Sequence, residues 1–355
     1  MTQSAGKKIK IILTGGGTGG SVTPLLAIAD ELACGEGRYS FTWIGTNDGV
    51  ERYLTAHYPF TYKPIASGKL RRYFDIRNLT DIALIIIGFF QAFFILLSER
   101  PRLIVTAGSF VSVPVVWAGW LLGIPSLVHQ QDIVPGLANK LMAPFARVIT
   151  VAFEKSLSDY GKKAAWVGNP VRKEFITAQQ NPPKPARKNI VVLGGGTGSE
   201  AINSLIADSL PGLTPVADVV HITGQRPVAV EEAVPHYYSY EMLDPEHIAQ
   251  ALAGADLVVC RAGLGTLSEL AFLGKPAVVI PIPDSHQEIN AKYFQDRDAA
   301  IVLAQRTLDP DSFTATVKDM LDHEERREKM SQNMQEAMKT GANQAMHQMI
   351  DKSLG

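Results

Sequence analysis

Apolar residues along this chain come in short unbroken runs rather than in alternation, and each run stops at glycine or polar punctuation. Ile9–Leu13 is followed by Thr14-Gly15-Gly16-Gly17-Thr18-Gly19-Gly20 and then by a helical stretch from Val22 to Leu32. Ile190–Leu193 is followed by Gly194-Gly195-Gly196-Thr197-Gly198 and a helical stretch from Ala201 to Leu210. An unbroken apolar strand, a turn and a helix make the repeating unit of a parallel sheet buried on both faces. The same reading predicts strands at Phe41–Ile44, Leu103–Thr106, Ser126–His129, Val148–Val151, Val219–Thr223, Leu257–Cys260 and Ala277–Ile280, and helix from Asp309 onward. Gln179-Gln180-Asn181-Pro182-Pro183-Lys184-Pro185 cannot be a helix interior and reads as a linker. The expected fold is α/β, with two doubly wound, Rossmann-like parallel-sheet domains facing across a cleft. They are an N-terminal domain over 1–178, a linker over 179–188 and a C-terminal domain over 189–355, whose last helix is free to pack back on the first domain.

Composition narrows the function. With 34 basic against 35 acidic side chains, the chain lacks the cationic excess of a general nucleic-acid binder. Cys34 and Cys260 are the only cysteines, too few for a disulfide framework or a cysteine-rich zinc site. Neither cysteines nor histidines show ligand spacing, so neither a metal nor a cofactor is expected. The apolar run before the first glycines is too short for a signal peptide, which favours a cytoplasmic setting. Ile82–Leu97, interrupted only by Gly88 and Gln91, stops short of the roughly 18 apolar residues of a conventional membrane span. It fits an interfacial helix, with Lys69, Arg71, Arg72 and Arg77 nearby for anionic head groups and Phe89 and Phe93 on the membrane side. It fits equally an unusually apolar helix packed on the sheet.

Glycine turns after a first strand let backbone amides and a helix N-terminus approach an anion. Neither loop has the usual dinucleotide spacing or the lysine of a P-loop, but two such loops on one cleft suit a phosphate or diphosphate. Cys260-Arg261-Ala262-Gly263-Leu264-Gly265-Thr266-Leu267-Ser268-Glu269 also runs from strand through glycine into helix. There Arg261 is placed to face a phosphate, and Glu269 either receives both hydroxyls of a ribose or complements the helix N-terminus. Pro281–Ala291 and His129-Gln130-Gln131-Asp132 are polar loops that suit sugar hydroxyls, or simply capped helix starts.

Taken together, GGGTGGSVTPLLAIA, HQQDIVPGLANKLMA, VGNPVR, GGGTGSEAIN, CRAGLGTLSELAFLGKPAVVIP and HQEINA resemble the MurG family of bacterial N-acetylglucosaminyltransferases, in order from about Lys8 to about Tyr293. The resemblance implies a GT-B fold and inverting transfer from UDP-N-acetylglucosamine to lipid I, the undecaprenyl-diphosphate-linked N-acetylmuramoyl-pentapeptide. That reaction makes lipid II for peptidoglycan, at the cytoplasmic face of the cell membrane, with the enzyme held peripherally. The resemblance further places Thr18, Gly19 and Gly20 against the donor sugar and acceptor diphosphate, beside Gly16 and Gly17 on the acceptor side. It puts Asp132 on the sugar, Arg172 on the nucleotide side, and Gly195 and Gly196 over the UDP phosphates. Leu264, Gly265, Thr266, Leu267, Ser268 and Glu269 match the nucleotide-binding helix start, and Gln287 and Glu288 the pair that reads sugar hydroxyls. Two positions depart from the family. Ser21 stands where histidine is common, and Gly196 where some members carry a serine, with the Thr197 hydroxyl beside it. Because a serine is a weak base, the general base is expected among Asp132 and His129, Asp132 preferred; the alternative has Asp132 binding only the sugar. Competing readings are a sugar-nucleotide epimerase, a transferase for another lipid acceptor, and a non-catalytic UDP-sugar-binding scaffold.

Overall fold

The computed structural model describes residues 8–34, 37–68, 77–195, 198–225 and 234–355. The chain divides into unit 1, Met1–Arg172 with Lys339–Gly355, and unit 2, Lys173–Met338. Unit 1 runs β1 (Ile9–Thr14), α1 (Thr23–Ala33), β2 (Tyr39–Gly45), α2 (Val50–Thr55), β3 (Thr61–Pro64), α3 (Arg77–Glu99), β4 (Leu103–Thr106), α4 (Ser112–Leu121), β5 (Ser126–Gln130), α5 (Leu137–Met142), β6 (Val148–Val151) and β7 (Ala164–Trp166). Its strands are all parallel, in the order β3-β2-β1-β4-β5-β6-β7.

Successive residues of a strand point to opposite faces, and here both faces are covered. Ile11, Leu13, Leu103, Val105 and Leu127 join one core cluster with α1, while Ile12, Ile104, Val128 and Ile149 join another on the opposite face with α3 and α4. That is why the strands read as unbroken apolar runs. The first face is completed from the far end of the chain by α13 (Ala342–Leu354), whose Met346 and Ile350 are fully buried in it.

Unit 2 runs α6 (Lys173–Gln180), β8 (Asn189–Leu193), α7 (Glu200–Leu213), β9 (Asp218–Ile222), β10 (Tyr237–Tyr240), α8 (Pro245–Ala253), β11 (Leu257–Cys260), α9 (Leu264–Leu273), β12 (Ala277–Val279), α10 (His286–Gln295), β13 (Ile301–Val302), α11 (Pro310–Asp322) and α12 (Glu324–Glu336). Its sheet is also parallel, in the order β10-β9-β8-β11-β12-β13. The chain leaves unit 1 at Arg172, earlier than the proline-rich stretch suggests. The reason is α6, whose fully buried Phe175 and Ala178 pack with α8 and α9. In each sheet the strand order reverses beside the first strand, between β1 and β4 and between β8 and β11. Such switch points are where loops at the carboxyl ends of strands leave room for a ligand.

The apolar segment 82–97 lies within α3, the one helix among the described residues long and apolar enough to cross a membrane by length and composition. Only 17% of its most apolar window is buried. A stripe of Gly88, Ala92 and Leu96 faces the core. Phe89 and Phe93 are half-buried against the same cluster, which corrects their expected place on the membrane side. The exposed aromatics are instead Phe90 and Phe94, flanked by Ile82, Ile86, Ile87 and Leu97. Lys69, Arg71 and Arg72 lie outside the described residues. The segment after β3 straps the helix down: Gln91 Oε1 accepts from the Ala66 amide at 2.6 Å, and a side chain at Gly88 would meet the Ala66 carbonyl oxygen at 2.1 Å. Gly88→Ala therefore forces backbone apart, and should cost unit 1 about 1–3 kcal/mol. Denaturant unfolding of the variant checks this, and an unchanged midpoint would contradict the strap.

Candidate functional site

At the switch point of unit 1, the first glycine turn is held from several directions. Trp43 Nε1 donates to the Gly15 carbonyl at 3.1 Å, and Ser109, from the loop after β4, donates to the Gly16 carbonyl at 2.8 Å. Ser21 Oγ lies 3.2 Å from the carbonyls of both Gly16 and Thr18, so its single proton is spent inside the loop. Glu51 Oε2 accepts from the Gly17 amide at 2.9 Å. Gly15 and Gly16 are buried, and a Cβ on Gly16 would meet a Glu51 carboxylate oxygen at 2.2 Å. The exposed tip is Gly17, Thr18 and Gly20, with Gly19 half-buried and open space where its side chain would go. The Gly16 carbonyl and the Gly17 amide are thus already engaged within the turn.

The loop after β5 divides its residues in the same way. His129 is in β5 itself and wholly buried, with Nδ1 3.0 Å from Thr150 Oγ1 and Nε2 2.8 Å from Asn169 Oδ1. Burial pulls its pKa down to about 4, against hydrogen bonds that raise it. This corrects the expectation of a loop histidine able to take a proton from substrate. Asp132 is half-buried in the loop, and its carbonyl accepts from Gln130 Nε2 at 2.6 Å. Arg172 is buried at the last position of unit 1, after Val171, whose backbone is gripped by Asn343 at 2.9 and 2.8 Å.

Unit 2 repeats the construction. Gly195 and Gly198 take positive φ, 93° and 78°, and a Cβ on Gly198 would meet the Thr223 carbonyl oxygen at 2.1 Å. Gly196 and Thr197, expected over the diphosphate, lie outside the described residues. Ser199 caps α7 by accepting from the Ile202 amide at 3.4 Å, and itself receives Arg261 Nη2 at 2.6 Å. Arg261 Nη1 donates to the carbonyls of Ile280 and Pro281 at 2.9 and 3.3 Å. Both Nη groups of the buried guanidinium are thus engaged by the protein and brace the turn, while its Nε is buried without a hydrogen-bond partner among the described residues.

The N-terminus of α9 is different. Its cap is Gly263, without a side chain to satisfy the first amides, and Gly263, Gly265 and Thr266 are only half-buried. Uncapped amides and the positive helix end suit an anion. Leu264 and Leu267 are buried packing residues, and Ser268 Oγ donates to the Leu264 carbonyl at 2.5 Å. Glu269 is buried one turn into the same helix, at 6% exposure. Gln287 is half-buried in the first turn of α10, its Oε1 accepting from the Ile282 amide at 3.2 Å, and Glu288 is exposed beside it. The carbonyls of Tyr240 and Glu241 accept from the Thr223 and Gly224 amides at 2.9 and 3.0 Å.

Sequence reasoning missed Glu51, Ser109 and Trp43. TNDGVERY reads as a solvated loop, and nothing in it signals a buried carboxylate. It also missed His221, fully buried on β9 between Tyr237 OH at 3.0 Å and Asn203 Oδ1 at 3.1 Å, with its pKa lowered to about 4 by burial.

Two parallel-sheet units, each with a glycine turn at its switch point, define a GT-B glycosyltransferase. The chain matches the glycosyltransferase family 28 N-terminal domain over residues 11–170 and the family 28 C-terminal domain over residues 189–347. It belongs to the MurG family within it. It is 37% identical, over 85% of its length and 88% of the relative's, to the UDP-N-acetylglucosamine--N-acetylmuramyl-(pentapeptide) pyrophosphoryl-undecaprenol N-acetylglucosamine transferase of Clostridium kluyveri. The protein of that name from Clostridium novyi is 33% identical over 97% of this chain and 99% of the relative. The crystal structure of Acinetobacter baumannii MurG matches with a TM-score of 0.73 and 26% identity, over 97% of this chain and 99% of that one. A UDP-GlcNAc 2-epimerase from Neisseria meningitidis reaches 0.70 at 12% identity, covering 98% of this chain and all of that one (100%), a likeness of fold alone.

The two buried histidines predict acid sensitivity. Each binds its proton more weakly folded than unfolded, so stability is full above about pH 6.5 and is lost as the pH falls toward about 4. Each should contribute a slope of up to about 1.4 kcal/mol per pH unit in that window. Unfolding midpoints measured from pH 8 to 4 check this, and His129→Gln should flatten the slope for unit 1. An unaltered slope in that variant would count against it.

Proposed function

We infer that this chain transfers N-acetylglucosamine from UDP-N-acetylglucosamine to the C4 hydroxyl of the N-acetylmuramoyl-pentapeptide on undecaprenyl diphosphate, turning lipid I into lipid II. Identity of 37% across 85% of the chain to a transferase of that name carries the reading. The epimerases share the fold at far lower identity. In the direct displacement, the acceptor oxygen bonds to the anomeric carbon as the bond to the UDP oxygen breaks. The hydroxyl proton passes to a base, and the configuration inverts. The uncapped N-terminus of α9 suits the diphosphate that departs, and Glu269 suits the ribose. Asp132 is the base in this reading, because His129 is sealed in the core and the Ser21 proton is bound within its own loop.

The substrate carries a lipid anchor, and α3 gives the enzyme a way to meet it at the cytoplasmic face of the membrane. The helix is fixed in a β3–α3–β4 crossover by its buried stripe, so it lies on the surface rather than crossing. Its exposed Phe90, Phe94 and isoleucines, with Trp120 and Leu121 on the adjoining α4, supply an apolar face for an interfacial contact.

A single-turnover assay with UDP-N-acetylglucosamine and a lipid I analogue tests the reaction, and hydrolysis or epimerisation without transfer would refute it. Glu269→Ala should raise the donor KM by about tenfold or more, since a charge-assisted hydrogen bond is worth roughly 1.5–3 kcal/mol. Unchanged UDP affinity by calorimetry would remove Glu269 from the ribose. Asp132→Asn should lose turnover by about a hundredfold or more with donor affinity intact. Near-normal turnover there, with Ser21→Ala inactive, would move the base elsewhere. Phe90→Ser with Phe94→Ser should abolish flotation with anionic liposomes and leave the fold intact. Undiminished flotation would contradict the α3 contact.

A further inference from the structure

We propose that Glu51 is a positioning residue for the transfer: its buried carboxylate sets the shape in which the tip of the first glycine loop meets the acceptor. The proposal rests on the reading of that loop as acceptor-facing. Glu51 lies in the first turn of α2 and has no exposed surface. Its Oε2 accepts from the Gly17 amide at 2.9 Å, and its Oε1 accepts from the Thr46 amide at 2.7 Å and the Thr46 hydroxyl at 2.6 Å. Side chains at Gly16 and Gly49 would collide with the carboxylate, at 2.2 and 2.1 Å. The sequence has cleared space on both sides of it. No lysine, arginine or histidine pairs with it among the described residues. A buried carboxylate without a cation is costly unless donors solvate it, and here three donors do so.

The chemistry of those donors explains why a carboxylate is needed. Both oxygens face N–H or O–H groups, so both must accept. A glutamine has the same shape but only one oxygen. Its NH2 would point at either the Gly17 amide or the Thr46 pair, donor against donor. The grip matters at Gly17 because that residue holds φ +80°, with Phe110 lying 2.5 Å from where a Cβ would be. Beyond Gly17 the tip is held from its far side through carbonyls alone: Ser21 Oγ lies 3.2 Å from the Thr18 carbonyl, and the Val22 amide donates to the Gly19 carbonyl at 3.0 Å. The amides of Thr18, Gly19 and Gly20 make no backbone hydrogen bond among the described residues, and nothing lies within 4 Å of a Cβ on Gly19. The direction in which those amides point is therefore set between the anchored Gly17 on one side and the Ser21–Val22 turn on the other.

The full-length protein is assayed with UDP-N-acetylglucosamine and a soluble lipid I analogue, alongside calorimetry with UDP, melting temperature, and hydrogen exchange by mass spectrometry over residues 15–21. Glu51→Gln should lower acceptor kcat/KM by about tenfold or more and speed exchange in that segment. UDP affinity, which belongs to unit 2, should stay within about twofold of the parent. Glu51→Asp, which keeps both oxygens on a shorter arm, should recover part of the loss. Acceptor kinetics within about twofold of the parent in folded Glu51→Gln would overturn the proposal. If that variant does not fold, Thr46→Val decides, because it removes only the hydroxyl on Oε1. An acceptor-side loss of about threefold or more at the parental melting temperature supports the role, and unchanged acceptor kinetics overturns it. A parent that binds UDP but never turns over the lipid I analogue refutes the transferase reading instead. Exchange in residues 15–21 then decides Glu51 by itself: faster exchange in Glu51→Gln supports the anchor, and parental exchange overturns it.

Discussion

Absence of a Cβ at a few positions is the constraint on which both halves of this molecule depend. At Gly16 the vacated volume is filled by the Glu51 carboxylate, and at Gly194 a Cβ would lie 2.5 Å from the Ser199 amide nitrogen. Each turn can therefore close tightly against the loop of the next strand in the sheet. Ser109 after β4 reaches the first turn, and Arg261 after β11 reaches the second through Ser199. The two units solve one geometric problem with different chemistry, a hydroxyl in one and a buried guanidinium in the other. In the first turn the exposed tip is largely glycine backbone, and backbone amides are what an anionic or sugar ligand can use.

The parts of the fold that could be read from sequence are those buried on both sides. LIVT at 103–106, VITV at 148–151 and LVVC at 257–260 are central strands, and their unbroken apolar runs coincide with the observed limits. The strands missed from the sequence are β3, β7, β10 and β13, the four edges of the two sheets. An edge strand faces solvent along one side, so TYKP and YYSY carry no continuous apolar signal, and AAW and Ile301–Val302 are too short to give one. Secondary structure was legible where burial was complete and faded where it was not.

The candidate site was legible to a different depth. Glycine turns, the Arg261–Glu269 block and the loop through Asp132 announce themselves by residue type and spacing. Sequence does not say which atoms are already spoken for. His129 looks like a base until its two ring nitrogens are found on Thr150 and Asn169, and Arg261 looks like a phosphate ligand until it is found on Ile280, Pro281 and Ser199. Both are buried polar residues, and the hydrogen bonds they make within the protein are what sequence alone does not reveal. Glu51 is the extreme case, since its sequence neighbourhood resembles a solvated turn.

The return of α13 to unit 1 has a consequence for how the chain is made. Unit 2 is one continuous stretch, Lys173–Met338, whereas unit 1 needs Lys339–Gly355 to finish its core. Met346 and Ile350 are buried there at 0% exposure, Thr150 Oγ1 meets Met346 Sδ at 3.7 Å, and Tyr39 donates to Asp351 at 2.7 Å. On the ribosome most of unit 1 thus emerges before unit 2 and closes after it, with an apolar face uncovered while all of unit 2 is translated. Unit 1 waits for α13, and during that interval the nascent chain has to be kept from sticking to its neighbours.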